Sequence, residues 1–355
     1  MLRVTRPLKA YVLGPGAIGT LVAHDLKKEF KEMLDVTLLC RLNAIHDGNL
    51  NLVRYQRGNI ERSTEVASLM YPSSNQLKLS TFEIENMLIT TKTYITPLAL
   101  EPYLRALNED SNVLLLQNGM GVVEMLDEMW IGKRPNLYQA ITTHGAYKQG
   151  KEVVHSAQGT ITIAKLPKPG MYGMERDTDE EIPDFINMIL NTKSLRARMV
   201  PYEKFLVLQA EKFVANCCIN PLTAIFDVNN GSLLYTDHIV KIMRSIIKEA
   251  VLVLNAEFEE LRNSSEAQIL LNQDRLLSNV IALCKDTEAN SSSMRQDIRQ
   301  LKEPELRSLN SQVVEWGYKH RIGTPANRMI AQIVTAKLDL HKALDRKSSD
   351  EALEI

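Results

Sequence analysis

The chain has 355 residues, of which 45% are hydrophobic and 24% charged. That balance is globular and supplies enough apolar material for two ordinary domains, so a disordered chain is excluded. The formal net charge is -1; without a basic excess the chain is no general nucleic-acid or membrane-surface binder, and no apolar run is long enough to span a bilayer.

Leu8 to Leu13 (LKAYVL) is a short apolar run stopping at glycine, which predicts a buried strand. Ile18, Leu21, Val22 and Leu26 then recur at helical spacing to about Lys31, and Val36 to Cys40 (VTLLC) predicts a second buried strand. Strand, glycine turn, helix and strand make a βαβ unit with parallel pairing. Met87 to Thr91 and Val113 to Leu116 predict further sheet strands, with a helix near Pro97 to Leu107 between them. Leu137 to Thr142 predicts another strand. Val153 to Ala164, rich in β-branched residues and interrupted by Gly159, predicts antiparallel strands. Thr178 to Leu190 is helical in pattern and opens with acids, and Leu195 to Val200 is placed to close the sheet.

The pattern changes at Pro201. Glu203 to Ile219, Asp237 to Ala256 and Asp297 to His320 all show amphipathic helical periodicity. The expected architecture is an α/β N-terminal Rossmann domain with a mostly parallel sheet (1–200), then a mainly α-helical C-terminal domain (201–345) and a charged, frayed tail (346–355).

Cys40, Cys217, Cys218 and Cys284 are scattered with no CxxC pair, so free thiols in a reducing compartment are expected. The seven histidines are dispersed and have no metal-ligand spacing, so no metal is expected. Arg3, Arg6 and Lys9, with no acid among the first ten residues, faintly echo a mitochondrial presequence. The strand beginning near Leu8 leaves little room for a removable segment, so the cytoplasm is the expected location and the mitochondrial matrix the alternative.

Gly14-Pro15-Gly16-Ala17-Ile18-Gly19 fits the G-x-G-x-x-G dinucleotide fingerprint. The first glycine permits a tight turn, the second lets the backbone approach a pyrophosphate, and the third lets the helix pack close to the strand. The loop stands between a predicted strand and a predicted helix, as that motif requires. An NAD site usually ends its second strand on an acid that binds the ribose 2′-OH. Here that stretch is Leu38-Leu39-Cys40-Arg41, and an arginine there forks onto a 2′-phosphate, so NADPH is the expected cofactor. A solvated loop cation is the plainer alternative for Arg41.

Three polar clusters bear on chemistry. Gln117-Asn118-Gly119-Met120-Gly121 follows a predicted strand at the carboxyl edge, where ligands bind, although an Asn-Gly turn alone would give the same letters. Lys212, Asn216 and Asn220 are spaced four and four, which puts them on one helical face. A lysine there can stabilise a developing alkoxide and protonate it, and asparagines orient carboxylate and hydroxyl groups; a solvated stripe has the same spacing. Asn290, Ser291, Ser292 and Ser293 stand at the start of a predicted helix carrying Asp297 and Glu305. Such hydroxyls cap a helix and equally bind a carboxylate. Cys217 has no accompanying base and is expected to be buried packing.

Together GPGAIG, Cys40-Arg41, Lys92 within TTKTY, QNGMG at 117–121, TTHGA at 142–146, EKFVANCCINPLTAI at 211–225, Asn230-Gly231 and SSSMRQDI at 291–298 resemble the ketopantoate reductase family. The resemblance runs from about Leu8 to Leu340 with every motif in order. It implies reduction of 2-dehydropantoate to pantoate with NADPH, on the route to pantothenate and coenzyme A. It further implies that Gly14 to Gly19 cradle the pyrophosphate and Arg41 the 2′-phosphate, while Lys92, Asn118 and Ala146 contact the cofactor further along its length. Lys212 matches the family's proton donor, and Asn216, Asn220 and Asn230 its substrate-binding asparagines. Residues 290–293 match the loop holding the substrate carboxylate, and Glu305 an acid at the nicotinamide end of the cofactor.

Departures fall after that acid, where the family commonly has Glu-x-Asp-x-x-Asn-Gly and this chain has Arg307 and Ser311 in place of the second acid and the glycine. Glu211 occupies a position that is often basic. The partner implied is a small 2-oxo acid, with neither nucleic acid nor membrane, and the chain acts as a monomer or homodimer. The alternatives are a reductase of another branched 2-oxo acid and a non-catalytic NADPH-binding sensor or assembly protein.

Overall fold

The computed structural model describes residues 6–41, 46–56, 59–79, 81–130, 132, 134–168 and 181–353, with the side chains of 56 and 348–353 excepted. They fall into two compact units. One is the chain up to Gln117 with Val122–Phe205, the other Asn118–Gly121 with Leu206 onward.

The first unit contains β1 (Leu8–Leu13), α1 (Ala17–Phe30), β2 (Leu34–Leu39), β3 (Asn49–Gln56), β4 (Asn59–Val66), β5 (Ser68–Met70), β6 (Asn86–Ile89) and α2 (Thr96–Leu100). It continues with β7 (Asn112–Leu116), α3 (Val122–Asp127), β8 (Asn136–Thr142), β9 (Gly145–Gln149), β10 (Glu152–Ala157), β11 (Ile161–Lys165), α4 (Asp184–Asn191) and β12 (Ala197–Met199). Eight strands form one sheet in the order β12-β11-β8-β7-β6-β1-β2-β5, parallel throughout except that β11 runs antiparallel to β8. This is the mostly parallel α/β sheet that the buried apolar runs predict.

A second sheet, β4-β3-β10-β9, is not foreseen in the sequence. Val153 to Ala164 does form two strands, but they do not pair with each other: β10 lies antiparallel to β9 in the small sheet and β11 antiparallel to β8 in the large one. The predicted helix from Thr178 begins at Asp184, and residues 178–180 lie outside those described.

α1 lies between the two sheets. Val22, Ala23 and Leu26 join the large-sheet core, while Leu21 packs on Leu52 and Val153 of the small sheet. Every residue from Gly19 to Leu26 is therefore buried, including His24 and Asp25. Buried polar groups must find partners, and these form a network. Asp25 accepts from Arg54 and Ser194 and is bonded to His24, whose other nitrogen meets Ser63. Arg54 Nε donates to His155 Nδ1 at 3.1 Å, His155 Nε2 lies 3.0 Å from His144 Nδ1, and His144 Nε2 lies 3.0 Å from the Leu195 carbonyl. A carbonyl only accepts, so His144 carries its proton on Nε2 and His155 donates to His144 through its own Nε2. Both rings are thereby satisfied as neutral imidazoles. Burial pushes His155 down to about 4, aided by Arg54 and His144, and also lowers His144. Three of the seven dispersed histidines thus gather in space, which linear spacing did not reveal.

The second unit is helical: α5 (Tyr202–Phe226, beginning in the first unit), α6 (Asp237–Glu257), α7 (Glu259–Asn263), α8 (Ser265–Leu270), α9 (Gln273–Asp286), α10 (Ser293–Arg299), α11 (Asn310–Lys319) and α12 (Pro325–Leu353). The single helix predicted over Asp297 to His320 is two. Leu301 adopts a left-handed φ of 54° after α10, and Pro304 precedes a 3-10 turn, Glu305–Ser308, so Glu305 stands on a turn and not on a helix. The tail predicted to fray from Arg346 continues α12 to Leu353. Buried Glu249 accepts from the backbone N–H groups of Ala326 and Asn327 at 2.8 and 2.9 Å, an acid where the first turn of α12 has unpaired donors. Among the described residues no helix is long and apolar enough to cross a membrane, and no group of three or more His, Cys, Asp or Glu side chains is placed to hold a metal.

Candidate active site

In the large sheet Leu13 of β1 pairs with Leu39 of β2 on one side and Ile89 of β6 on the other. The glycine loop, Cys40-Arg41 and Thr90-Thr91-Lys92 therefore leave the sheet side by side, at β1, where the strand order reverses. Gly14 has a φ of +89°, and a Cβ there would come within 2.6 Å of Thr91 Cγ2. A Cβ on Gly19 would lie 2.3 Å from Thr90 Oγ1, whose hydroxyl donates to the Gly14 carbonyl at 2.6 Å. Thr90 and Thr91, predicted as strand residues, instead clamp the loop.

Gly16 differs. The nearest atom to a Cβ built there is 3.8 Å away, so packing within the chain does not require glycine at this position. Close approach by a group from outside does. α1 starts at the next residue without a side-chain cap, which leaves its first-turn N–H groups for an external acceptor. Both features fit a dinucleotide pyrophosphate.

Arg41 is exposed at the end of β2, and Lys92 opens a 3-10 turn. Ala146 lies on the small sheet, where it shares an apolar cluster with Ala17 and Ile18 at the start of α1. The unit thus gathers Gly14 to Gly19, Arg41, Lys92 and Ala146. It adds Lys148, which sequence reasoning missed because β9 was not recognised. Burial raises the Cys40 thiol and lowers the His46 imidazole, and Lys148 acts on both as a nearby cation, so a second positive charge stands beside Cys40-Arg41.

In the second unit α5 is buried on most sides, with Phe213 to Ala215 and Cys217 to Ile219 in the core. Lys212, Asn216 and Asn220 form its half-buried polar stripe, as the spacing predicts. Lys212 Nζ donates to Asn118 Oδ1 at 3.0 Å, and Asn118 Nδ2 donates to Glu305 Oε2 at 3.3 Å. These partners fix the orientation of the amide, since a flipped Asn118 would turn oxygen toward carboxylate. Burial pulls Lys212 down to about 8, against the opposing charge of Glu305. The Asn118 segment is seated through its glycines: a Cβ on Gly119 would lie 2.3 Å from the Ser308 carbonyl, and one on Gly121 2.3 Å from Gln312 Oε1.

Asn230 and the serine loop adjoin this helix. The Asn230 N–H donates to the Asn290 carbonyl at 3.0 Å and its Nδ2 to Thr287 Oγ1 at 2.9 Å, while buried Asn230 Oδ1 has no hydrogen-bond partner. Such an acceptor fits a donor from a ligand, because leaving it empty costs about 1–3 kcal/mol. Ser292 caps α10 by accepting from the Arg295 N–H, and its hydroxyl lies 2.7 Å from that of Thr223, one turn beyond Asn220. Ser292 is therefore engaged within the protein, Ser291 lies near Arg295, and Asn290 and Ser293 are exposed. Arg295 and Arg299 both bind Asp227, whose hydrogen bonds to them hold its carboxyl well below the usual range. This clamp, absent from the sequence reading, ties the end of α5 to the loop.

The family description "Ketopantoate reductase PanE/ApbA" matches residues 10–168 and its "C terminal" counterpart residues 204–338. The chain belongs to the ketopantoate reductase family. It is 33% identical to the "Probable 2-dehydropantoate 2-reductase" of Schizosaccharomyces pombe, over 94% of this chain and 97% of the relative. It is 29% identical to the "2-dehydropantoate 2-reductase" of Saccharomyces cerevisiae, over 94% and 95%. Among solved structures, a D-mandelate dehydrogenase with NADH and anilino(oxo)acetate has a TM-score of 0.73 at 20% identity, over 94% of this chain and 98% of that one. The probable 2-dehydropantoate 2-reductase of Bacillus subtilis has a TM-score of 0.69 at 23% identity, over 93% and 100%. These structures share the fold: a Rossmann-type unit with a mostly parallel sheet, and a helical unit.

Proposed function

We propose that the protein is an oxidoreductase that reduces 2-dehydropantoate to pantoate with NADPH, a step toward pantothenate and coenzyme A. The observation that carries this reading is the bonded set in which Lys212 of α5 donates to Asn118 and Asn118 donates to Glu305. The S. pombe and S. cerevisiae relatives, named for this reaction, support it.

Gly14 to Gly19 hold the pyrophosphate on the N–H groups of α1. Arg41, with Lys148 nearby, receives the 2′-phosphate, and Lys92 and Ala146 line the cofactor further along. The cofactor held there would supply hydride to the ketone carbon. Lys212 donates its proton to the carbonyl oxygen as that oxygen gains charge, and solvent then reprotonates the amine. A value near 8 suits this role: the ammonium predominates at neutral pH, yet gives its proton more readily than an ordinary lysine. Asn118 holds the ammonium by its carbonyl oxygen. Glu305, bonded to the same amide, keeps the lysine charged against its own burial. Asn216, Asn220 and the unpaired Asn230 Oδ1 orient the substrate, whose one hydroxyl is a donor of the kind that oxygen lacks. Asn290, Ser291 and Ser293 receive its carboxylate, while Ser292 holds the loop in shape.

Lys212→Ala tests this directly. It is expected to lower kcat by roughly 10²–10⁴-fold while NADPH still binds, as read by nucleotide fluorescence. Unchanged turnover would sink the assignment.

A further inference from the structure

Pro221 lies inside α5 and has no N–H. In an unbroken helix that N–H would bond to the carbonyl of Cys217, four residues back. Cys217 is fully buried, so water cannot replace the missing donor. Asn310 Nδ2 does, at 3.0 Å. The same Nδ2 donates to Asn327 Oδ1 at 3.0 Å, and Asn327 Nδ2 donates to Glu249 Oε2 at 2.8 Å. A flipped Asn310 amide would set its oxygen against two acceptors, so the orientation is determined.

The interrupted bond would have closed the turn from Cys217 to Pro221, which contains Asn220 and directly follows Asn216. Helices kink at proline, so the alignment of the polar stripe depends on what holds this carbonyl. Asn310 is also the first residue of α11, separated only by Leu309 from the turn that carries Glu305.

We infer that Asn310 is a positioning residue for the reaction: its side-chain amide stands in for the N–H that Pro221 lacks, and so fixes the polar stripe of α5 against the Glu305 turn. The inference rests on the reading of Lys212 as proton donor. Asn310 acts through the Cys217 carbonyl, to which it is bonded.

The test is a double-mutant cycle with Asn310→Ala, Pro221→Ala and the pair, reading melting temperature, kcat, NADPH affinity and the pH profile of kcat. Pro221→Ala restores an N–H to the carbonyl, so it should suppress the effect of Asn310→Ala, because two changes acting through one group are not additive. In the proline-containing protein, Asn310→Ala is expected to lower kcat about tenfold with little change in NADPH affinity. It should also move the basic limb of the kcat profile to lower pH, because Lys212 loses the support of Glu305. In the Pro221→Ala background both effects should largely vanish. A variant that melts earlier with kcat and basic limb unchanged would make Asn310 merely structural, and additive losses in the pair would also overturn the inference. If Asn310→Ala alone does not fold, a soluble and active double variant supports it. An insoluble double variant beside a soluble Pro221→Ala overturns it. Should the wild-type protein reduce no 2-oxo acid, the functional reading fails on its own. The melting-temperature cycle then decides whether Asn310 replaces the amide, suppression supporting it and additivity overturning it.

Discussion

Lys212 Nζ sits 3.0 Å from Asn118 Oδ1, a neutral acceptor, while the carboxylate of Glu305 is bonded to the other end of the same amide. The lysine thus donates to a neutral oxygen, and the charge of Glu305 favours its ammonium form. Burial brings it to about 8, where a proton can be released to a substrate oxygen and recovered from water.

Activity should therefore fall on the alkaline side as Lys212 loses its proton, with a basic limb near 8 in the kcat profile. Asn118→Asp would put a second carboxylate beside the ammonium and favour the charged form. The limb should then move upward by about one unit and kcat should drop, since a lysine that holds its proton more firmly donates it less well. A limb that stays in place would separate it from Lys212.

Arg41→Ala should weaken NADPH binding by roughly 10–100-fold, the worth of a charge-assisted hydrogen bond to a phosphate, and leave NADH binding nearly unchanged. Titrating both nucleotides by fluorescence checks this. Equal losses would assign Arg41 to something other than the 2′-phosphate.

Gly16 and Gly19 should behave oppositely when changed to alanine. Gly16 has a φ of -76° and open space around a Cβ, so Gly16→Ala should leave the melting temperature almost unaltered and weaken nucleotide binding at least tenfold. Gly19→Ala would collide with Thr90 Oγ1 and the Gly14 carbonyl, and should destabilise by about 1–3 kcal/mol. Melting curves with and without NADPH distinguish the two.

Acid should destabilise the first unit well before its carboxylates are neutralised. His155 is held near 4 in the folded chain, below the ordinary 6.5, so the unfolded chain binds its proton first. The stability that neutral His155 and His144 contribute is complete above 6.5 and is lost as pH falls toward 4. Asp25 resists longer: burial alone would raise it, but bonds from His24, Arg54 and Ser194 keep it below the ordinary 3.8. The melting temperature should drop several degrees between pH 7 and pH 5, and less steeply in His155→Gln. Parallel curves for the two proteins would remove the histidines from the explanation.

The large sheet was legible because strands buried on both faces are continuous apolar runs such as LKAYVL and VLLL. The small sheet was not, since β4 (NIERSTEV) exposes nearly every residue and carries little apolar signal. The stripe of Lys212, Asn216 and Asn220 showed itself through helical spacing, but its partner Asn118 lies 94 residues away and nothing local announces the pairing. Helical periodicity across Asp297 to His320 masked the break at Leu301 and Pro304, which moved Glu305 from a helix to the turn where it meets Asn118. The serines at 291–293 signalled a cap and a ligand loop alike. Only the position of Thr223 shows that the middle hydroxyl is spent within the protein.

On the proposed reading the glycine loop accounts for what is bound, and Lys212 for what is done with it. Both are tested by following nicotinamide absorbance when 2-dehydropantoate is added to the protein with NADPH, with NADH as the control. Rapid loss of absorbance with NADPH, much slower with NADH and abolished in Lys212→Ala, is the predicted result. No loss with NADPH, or an equal loss in the lysine variant, would contradict the account.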